Sequence, residues 1–215
     1  MPHYHTLGQI PKKRHTQFRK PDGSLYSEQL VSTEGFSDAY SLTYHVYPPT
    51  LVKSVDEPVD VKPEIALQNN MQHRSFQGFK VPAADDYLKA RVPVLVNNDL
   101  SIVLAAPRKS METYFFKNSQ ATEMVFVHEG SGVLKTMYGE LRFGYGDHLI
   151  IPRGIIHQFH FDTPDNRLFI VESYSPIRFP KKYVNKLGQL EEHAPFCERD
   201  IRKPQNLVTH DEKGD

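Results

Sequence analysis

Four positions in the run GDHLIIPRGIIHQFHFD, residues 146–162, could belong to a metal site built on β-strands. Five residues separate Gly146 from Pro152, one separates Pro152 from Gly154, and two separate Gly154 from His157. A neutral imidazole is the commonest metal ligand, and glycine and proline are typical of the turns that join strands. A mononuclear iron site needs further imidazole and carboxylate ligands that converge from neighbouring strands. The run therefore raises the question of where those ligands would come from.

This spacing resembles the second signature motif of the cupins, small β-barrel proteins in which a histidine at the position of His157 usually binds a metal. The first cupin motif has two histidines separated by one residue, a glutamate after a further three or four residues, and a glycine seven positions later. Glu123 and Gly130 have that separation. The two positions expected to hold histidines are instead Lys117 and Ser119, or Phe116 and Asn118.

Strand alternation decides which of these side chains can meet. Successive side chains of a strand point to opposite faces, so Glu123 and His128 point in opposite directions, as do His157 and His160. Regular strands therefore predict no metal site and no catalytic residue, and leave Glu123 and His157 as degenerate cupin positions. A β-bulge that turns a second histidine inward is the alternative.

Two expectations follow for the degenerate positions. We expect PRG to form a turn at a barrel corner and His157 to be a neutral, hydrogen-bonded, half-buried histidine. A glutamate that faces the barrel interior needs a partner, because burying an unpaired charge is costly, and His157 is the nearest candidate for Glu123.

Composition and charge exclude several classes of function. The 26 basic residues balance the 26 acidic residues, so no global field would attract nucleic acid or an anionic membrane. The basic run KKRHTQFRK at residues 12–20 is short and is interpreted as a solvated or inter-subunit face. A single cysteine, Cys197, excludes an internal disulfide, and no apolar run reaches the ~18 residues of a membrane span. A cytoplasmic protein is expected.

The distribution of residue types along the chain predicts three parts. Residues 1–90 are broken by proline and glycine and indicate an arm with short strands that packs on a barrel. Residues 91–176 hold short β-branched and aromatic runs between turn signals, which predicts an all-β, cupin-like jelly-roll barrel or sandwich. Residues 177–215 are polar and are interpreted as a linker toward a missing C-terminal half.

Several long segments together resemble one family, the N-terminal half of the homogentisate 1,2-dioxygenases. They are PKKRHTQFRKPDGSLYSEQL, TEGFSDAYSLTYHVYPPT, PVLVNNDLSIVLAAPRKSMETYFFKNSQATEMVFVHEGSG, GDHLIIPRG and HAPFCERDIRKPQNLVTHDEKGD. The resemblance implies an enzyme of phenylalanine and tyrosine breakdown that opens the ring of homogentisate with Fe(II) and O2 to give maleylacetoacetate. It also implies trimers and hexamers, with the iron ligands in the C-terminal half. No position here matches the iron-binding motif, so no catalytic residue is carried over and no iron is expected to bind this chain.

The sequence is compatible with three functions. The first is the scaffold and oligomer contact of such a dioxygenase, inactive as an isolated 215-residue chain and prone to self-association through the apolar face it would expose. The second is a stand-alone structural or binding module with a degenerate cupin barrel. The third is a metal-free enzyme in which His157 is a base and Tyr114 or Tyr138 an acid.

Overall fold

The computed structural model describes residues 8, 11–13, 15–67 and 70–208, which fall into two compact units. One unit is Gln9–Ser75, and the other combines Met1–Gly8 with Phe76–Asp215. The unit that contains the predicted barrel begins before the expected boundary at residue 91, because Tyr87 and Ala90 are buried within it. The prediction that residues 1–90 pack on the barrel stays a prediction.

The unit Gln9–Ser75 is built on one hairpin. Strands β1 (Ser27–Glu34) and β2 (Ser37–His45) pair antiparallel, with an irregularity between Ser32 and Glu34. Residues 51–67 carry no strand or helix, and they expose large apolar side chains such as Leu67.

Among the residues that the structure describes, the unit with the barrel contains nine strands and short 3₁₀ turns. The strands are β3 (Arg91–Val96), β4 (Leu100–Ala105), β5 (Phe116–Lys117), β6 (Thr122–Glu129), β7 (Gly132–Thr136), β8 (Gly139–Phe143), β9 (His148–Ile151), β10 (Ile156–Phe161) and β11 (Arg167–Ser173). The 3₁₀ turns are Gly78–Lys80, Lys181–Tyr183 and Glu198–Asp200. The described part of the chain has no α-helix, and none of its 3₁₀ turns is long and apolar enough to cross a membrane. The all-β prediction is confirmed.

Two antiparallel sheets make up this unit. One has the strand order β3-β4-β11-β6-β9 and the other β5-β10-β7-β8. Alternate residues of β6, such as Val125 and Val127, are fully buried and face the second sheet, from which Phe159 of β10 contributes a buried ring. The interior is therefore an apolar core in which any polar side chain needs a partner.

The opposite side of the five-stranded sheet also carries apolar residues. The strand register aligns two outward rows across β4, β11, β6 and β9. The rows are Ile102, Val171, Met124 and Ile150, and Leu104, Phe169, Phe126 and His148. We refer to these eight residues as the outer apolar face.

Candidate functional site

The centre of the buried polar cluster is Glu123, which is fully buried on β6. Arg91 of β3 donates a hydrogen bond from Nη1 to Glu123 Oε1 at 2.6 Å. The second terminal nitrogen of Arg91, Nη2, lies 2.6 Å from Glu172 Oε1. Glu172 and Glu123 are directly opposite each other on β11 and β6. One guanidinium therefore bridges two carboxylates on neighbouring strands.

Two neutral groups complete the cluster. Asn118 donates from Nδ2 to Glu123 Oε1 at 3.1 Å and to Glu172 Oε1 at 2.9 Å. The Tyr87 hydroxyl donates to Glu123 Oε2 at 3.2 Å and accepts from Arg91 Nη1 at 3.2 Å. Burial and the nearby Glu123 carboxylate raise the pKa of Tyr87 well above its ordinary value, so the hydroxyl keeps its proton. Both carboxylate oxygens of Glu123 thus have donors.

Burial and the neighbouring acidic groups act in opposite directions on Arg91. Burial alone would lower the pKa of its guanidinium, whereas Tyr87, Glu123 and Glu172 raise the pKa and outweigh the effect of burial. The side chain of Arg91 is only 11% exposed. The cluster therefore contains a permanent positive charge that water screens weakly.

His157 lies beside this cluster without joining its hydrogen bonds. Its ring is fully buried, and Nδ1 donates to the Ile155 carbonyl oxygen at 3.0 Å. Its Nε2 has no hydrogen-bond partner and lies 3.7 Å from Glu123 Oε2. Burial lowers the pKa of His157, so the ring is neutral, as expected. The expectation of half-burial is wrong, because the rings of Phe116 and Phe159 pack around it.

The expected partnership of Glu123 with His157 is replaced by the ion pair with Arg91. A neutral imidazole cannot compensate a buried carboxylate as a guanidinium does. Sequence reasoning missed Arg91 because it lies 32 residues before Glu123 and outside both motifs. Tyr87 was missed for a related reason, since its segment was assigned to the arm. An arginine at the start of the first predicted barrel strand was the only available signal.

The four positions at which the first cupin motif could have histidines differ in burial. Lys117 and Ser119 are exposed, whereas Phe116 contacts His157 edge-on at 5.4 Å and Asn118 bonds Glu123. The register with residues 116 and 118 is therefore the one whose side chains face inward. A phenyl ring has no lone pair to offer a metal, and the Asn118 amide nitrogen is a donor rather than a ligand.

The cluster does not fit Fe(II) as it stands. Iron needs free imidazole and carboxylate donors at an open coordination position. Here Arg91 and Asn118 take the inner oxygens of Glu123 and Glu172. Among the described residues, no group of three or more His, Cys, Asp or Glu side chains is arranged to hold a metal.

The acid–base pair considered from the sequence is not assembled around His157. The charged neighbours of the Tyr114 hydroxyl are Asp86 and Asp85, and burial together with these carboxylates raises its pKa. Tyr138 lies in the turn between β7 and β8, and burial raises the pKa of its hydroxyl. The tyrosine ring that contacts His157 is Tyr87, at 6.3 Å between ring centroids.

A groove of about 390 Å³ lies outside the five-stranded sheet. His128 lines it and meets the ring of Phe79 edge-on at 4.9 Å, which confirms that His128 points away from Glu123. Arg167, at its wall, donates to the Val81 carbonyl at 2.7 Å. Its other lining residues are Phe76, Gly78, Leu104, Ala105, Phe126, Leu168 and Phe169. The groove is apolar and aromatic, with no cluster of acids or bases.

Comparison with known proteins gives a family and a fold. Residues 8–204 match the family model described as homogentisate 1,2-dioxygenase N-terminal. The "Putative dioxygenase SSO1533" of Saccharolobus solfataricus is 34% identical over 211 residues, which are 98% of this chain and 54% of that protein. The chain thus spans about half the length of this curated relative.

Solved cupin structures resemble the barrel. A cupin superfamily protein from Desulfitobacterium hafniense has a TM-score of 0.40 at 12% identity and covers 51% of this chain and 98% of that one. A cupin-2 domain containing protein from Shewanella frigidimarina has a TM-score of 0.34 at 17% identity, covering 39% and 78%. The two antiparallel sheets of the unit with the barrel agree with the predicted β-sandwich.

Proposed function

Because the chain belongs to the homogentisate 1,2-dioxygenase N-terminal family, we propose that it is the non-catalytic N-terminal part of an Fe(II)-dependent dioxygenase that cleaves the ring of homogentisate. The product would be maleylacetoacetate, in the breakdown of tyrosine and phenylalanine. The relationship of the chain to a dioxygenase family does not depend on homogentisate being the substrate.

The main support for the proposal is that the polar side chains at the centre of the barrel are buried. The Arg91 guanidinium holds Glu123 and Glu172, and Glu123 and His157 are fully buried. A substrate needs a concave, accessible site with convergent polar groups. We therefore assign no catalytic, cofactor-binding or metal-binding residue to this chain, and expect Fe(II), homogentisate and O2 to bind elsewhere in the enzyme.

The contribution of this chain would be scaffold and contact between subunits. The outer apolar face is a continuous patch across four strands whose side chains are half-buried or exposed, and apolar patches that are not fully covered mark protein interfaces. Ile150 in the first row is 46% exposed. We propose that the face takes part in a trimeric or hexameric homo-oligomer. We further propose that this oligomer is cytoplasmic, in keeping with a chain that has one cysteine.

The size of the natural product tests the proposal. An antibody raised against residues 91–176 would capture the polypeptide from cells of the source organism, and mass spectrometry would measure it. We expect a species close to twice the 24.8 kDa of this chain, since the chain covers 54% of its relative. A product of 24.8 kDa alone would oppose the proposal.

The groove beside His128 favours a second candidate, a stand-alone binding module without chemistry. Its aromatic walls suit an apolar ligand or a partner chain. Substituting Phe126→Glu would place a charge in the groove, and Leu187→Glu, at an exposed position, is the control. The binding module would be supported by two results together. The natural product would have a mass of 24.8 kDa, and a ligand or partner chain bound to it would be lost in Phe126→Glu but kept in Leu187→Glu.

A further inference from the structure

We propose that residues 51–67 of one copy of this chain dock on the β1–β2 hairpin of a second copy. We refer to residues 51–67 as the extended segment. The surface that would receive it is called the hairpin face, and it consists of Phe18, Leu30, Tyr40, Leu42 and Tyr44. This contact would belong to the proposed homo-oligomer, on which the inference therefore rests, but it is separate from the outer apolar face.

The hairpin face is apolar and open to solvent. Leu30 is opposite Leu42, and alternate residues of a strand share a face, so Tyr40, Leu42 and Tyr44 lie on the same side as Leu30. These four side chains are 37–67% exposed. Phe18 is also exposed, and its ring lies 4.7 Å from the ring of Tyr44 between centroids. The hairpin thus presents a patch of five large apolar side chains.

The opposite side of the hairpin is polar and internally hydrogen-bonded. Thr43 is buried there, and its hydroxyl donates to the Gln29 carbonyl oxygen at 3.1 Å. His45 Nε2 lies 3.0 Å from Thr43 Oγ1 and 3.0 Å from Gln29 Oε1. Among the described residues, β1 and β2 form a sheet of two strands, and such a hairpin is marginally stable in water by itself. A partner on the hairpin face would therefore stabilise the hairpin.

The extended segment has the apolar content of a packed element but is exposed. Its residues belong to no strand or helix, and seven large apolar side chains in it are 65–92% exposed. Single exposed apolar residues are ordinary, whereas such a concentration marks a contact with another chain. Pro58 and Pro63 fix φ at two positions, which reduces the entropy that the segment loses on docking. The seven residues are Leu51, Val52, Val55, Val59, Val61, Ile65 and Leu67.

Charge favours the hairpin face of a second copy as the receiving surface. The basic run at residues 12–20 has five lysines and arginines with no acidic residue, and it includes Phe18 of the hairpin face. The extended segment has four acidic residues and two lysines. Opposite charges attract the two surfaces, whereas two extended segments would repel each other. Within one copy both surfaces are exposed, so the segment does not cover its own hairpin.

Cysteine cross-linking between differently tagged copies tests the contact. Both full chains carry Cys197→Ser, which removes the native thiol. One copy adds Val59→Cys and the other Tyr40→Cys, and the two are co-expressed. A disulfide forms only between closely placed residues, so we expect disulfide-linked heterodimers. Their yield should exceed at least about tenfold that of a control in which Leu187→Cys, at an exposed position of the other unit, replaces Val59→Cys.

A chain that carries both Val59→Cys and Tyr40→Cys separates docking between copies from docking within one copy. Dimers or larger linked species support the proposed contact. Monomers with an internal disulfide would overturn it, and so would heterodimer yields no higher than those of the Leu187→Cys control.

Charge reversal provides a second measurement. Asp56→Lys/Asp60→Lys should weaken self-association at least about tenfold, and adding Lys12→Glu/Lys13→Glu should restore it. Sedimentation equilibrium would be measured in an Ile150→Glu background, so that the outer apolar face contributes little. If the chain does not associate in this background, or if association ignores both reversals, the inference is overturned, whereas assembly through the outer apolar face would still stand.

Discussion

A carboxylate that is fully buried in an apolar barrel is stable only if another charge and several donors accompany it. Glu123 meets this requirement through Arg91, Asn118 and Tyr87, each of which comes from a different segment of the chain. Alternation along β6 and β10 was sufficient to predict that Glu123 points away from His128 and that His157 points away from His160. It could not identify Arg91, because a contact between residues 32 positions apart depends on how β3 packs.

The ion pair of Arg91 with Glu123 should dominate the local stability. Arg91→Met leaves a buried carboxylate uncompensated and should cost about 3–5 kcal/mol in the free energy of unfolding. Adding Glu123→Gln should restore part of that loss, because the amide carries no charge. Urea denaturation measures both.

A surface pair provides the matched control for that experiment. Arg142 lies 3.0 Å from Asp162, with side-chain exposures of 75% and 50%. Arg142→Met should change the free energy of unfolding by less than about 1 kcal/mol. Equal costs for Arg91→Met and Arg142→Met would contradict the account of the buried cluster.

The buried imidazole of His157 predicts a pH dependence of stability. Burial lowers its pKa below the ordinary value of 6.5, so the unfolded chain binds more protons than the folded chain in that range. His157 therefore contributes stability that is present above pH 6.5 and is lost as pH falls through the lowered value. The loss can reach about 1.4 kcal/mol per pH unit.

Replacing that side chain isolates its contribution. The wild type and His157→Phe would be unfolded with urea at several pH values between 7.5 and 5. The free-energy difference between them should shift in favour of His157→Phe as pH falls. A difference that stays constant across this range would show that His157 does not titrate as described.

At the scale of elements, turn glycines set the corners of the barrel. Gly130, between β6 and β7, has φ of +101°, and an added Cβ would overlap the side-chain oxygen of the buried Asn166. Gly146 has φ of +86° but has no atom within 4 Å of that Cβ position. The motif spacing singled out both glycines. Only the structure shows that Gly146 is required for its backbone conformation alone, whereas Gly130 is also required because a Cβ would not fit.

The two glycines therefore predict different costs on substitution. Gly146→Ala should destabilise by about 1–2 kcal/mol, the cost of a left-handed backbone for an L-residue. Gly130→Ala should cost clearly more, because Asn166 holds the Pro107 and Thr163 carbonyls by hydrogen bonds of 2.9 Å and cannot easily move. Thermal unfolding measures both variants. Equal losses would show that the Asn166 contact is unimportant.

Element boundaries show where the sequence was insufficient. Most strands between residues 91 and 176 follow the predicted runs, because β-branched alternation and turn residues are local signals, but β8 was not among those runs. The segment with Tyr87 and Ala90 lacks such a period and was assigned to the arm. Its burial comes from contacts distant in sequence, such as the stacking of Tyr87 on Phe159 at 4.2 Å.

At the scale of the whole molecule, the outer apolar face predicts association. Ile150→Glu would place a charge in its first row and should weaken self-association at least about tenfold. Leu187→Glu is the control, because Leu187 is 85% exposed outside the face. Sedimentation equilibrium measures the association constants. Equal association of the two variants, or a monomeric wild type, would contradict the prediction.

The most direct test of the central claim is homogentisate-dependent oxygen uptake, measured on two samples under the same conditions. One sample is the protein captured from source cells with the antibody against residues 91–176, and the other is the purified 215-residue chain supplied with Fe(II). The account predicts uptake by the captured protein and none by the purified chain. Oxygen uptake by the purified chain would contradict the account, because it would place the reaction in this barrel. No uptake by the captured protein would contradict homogentisate as the substrate.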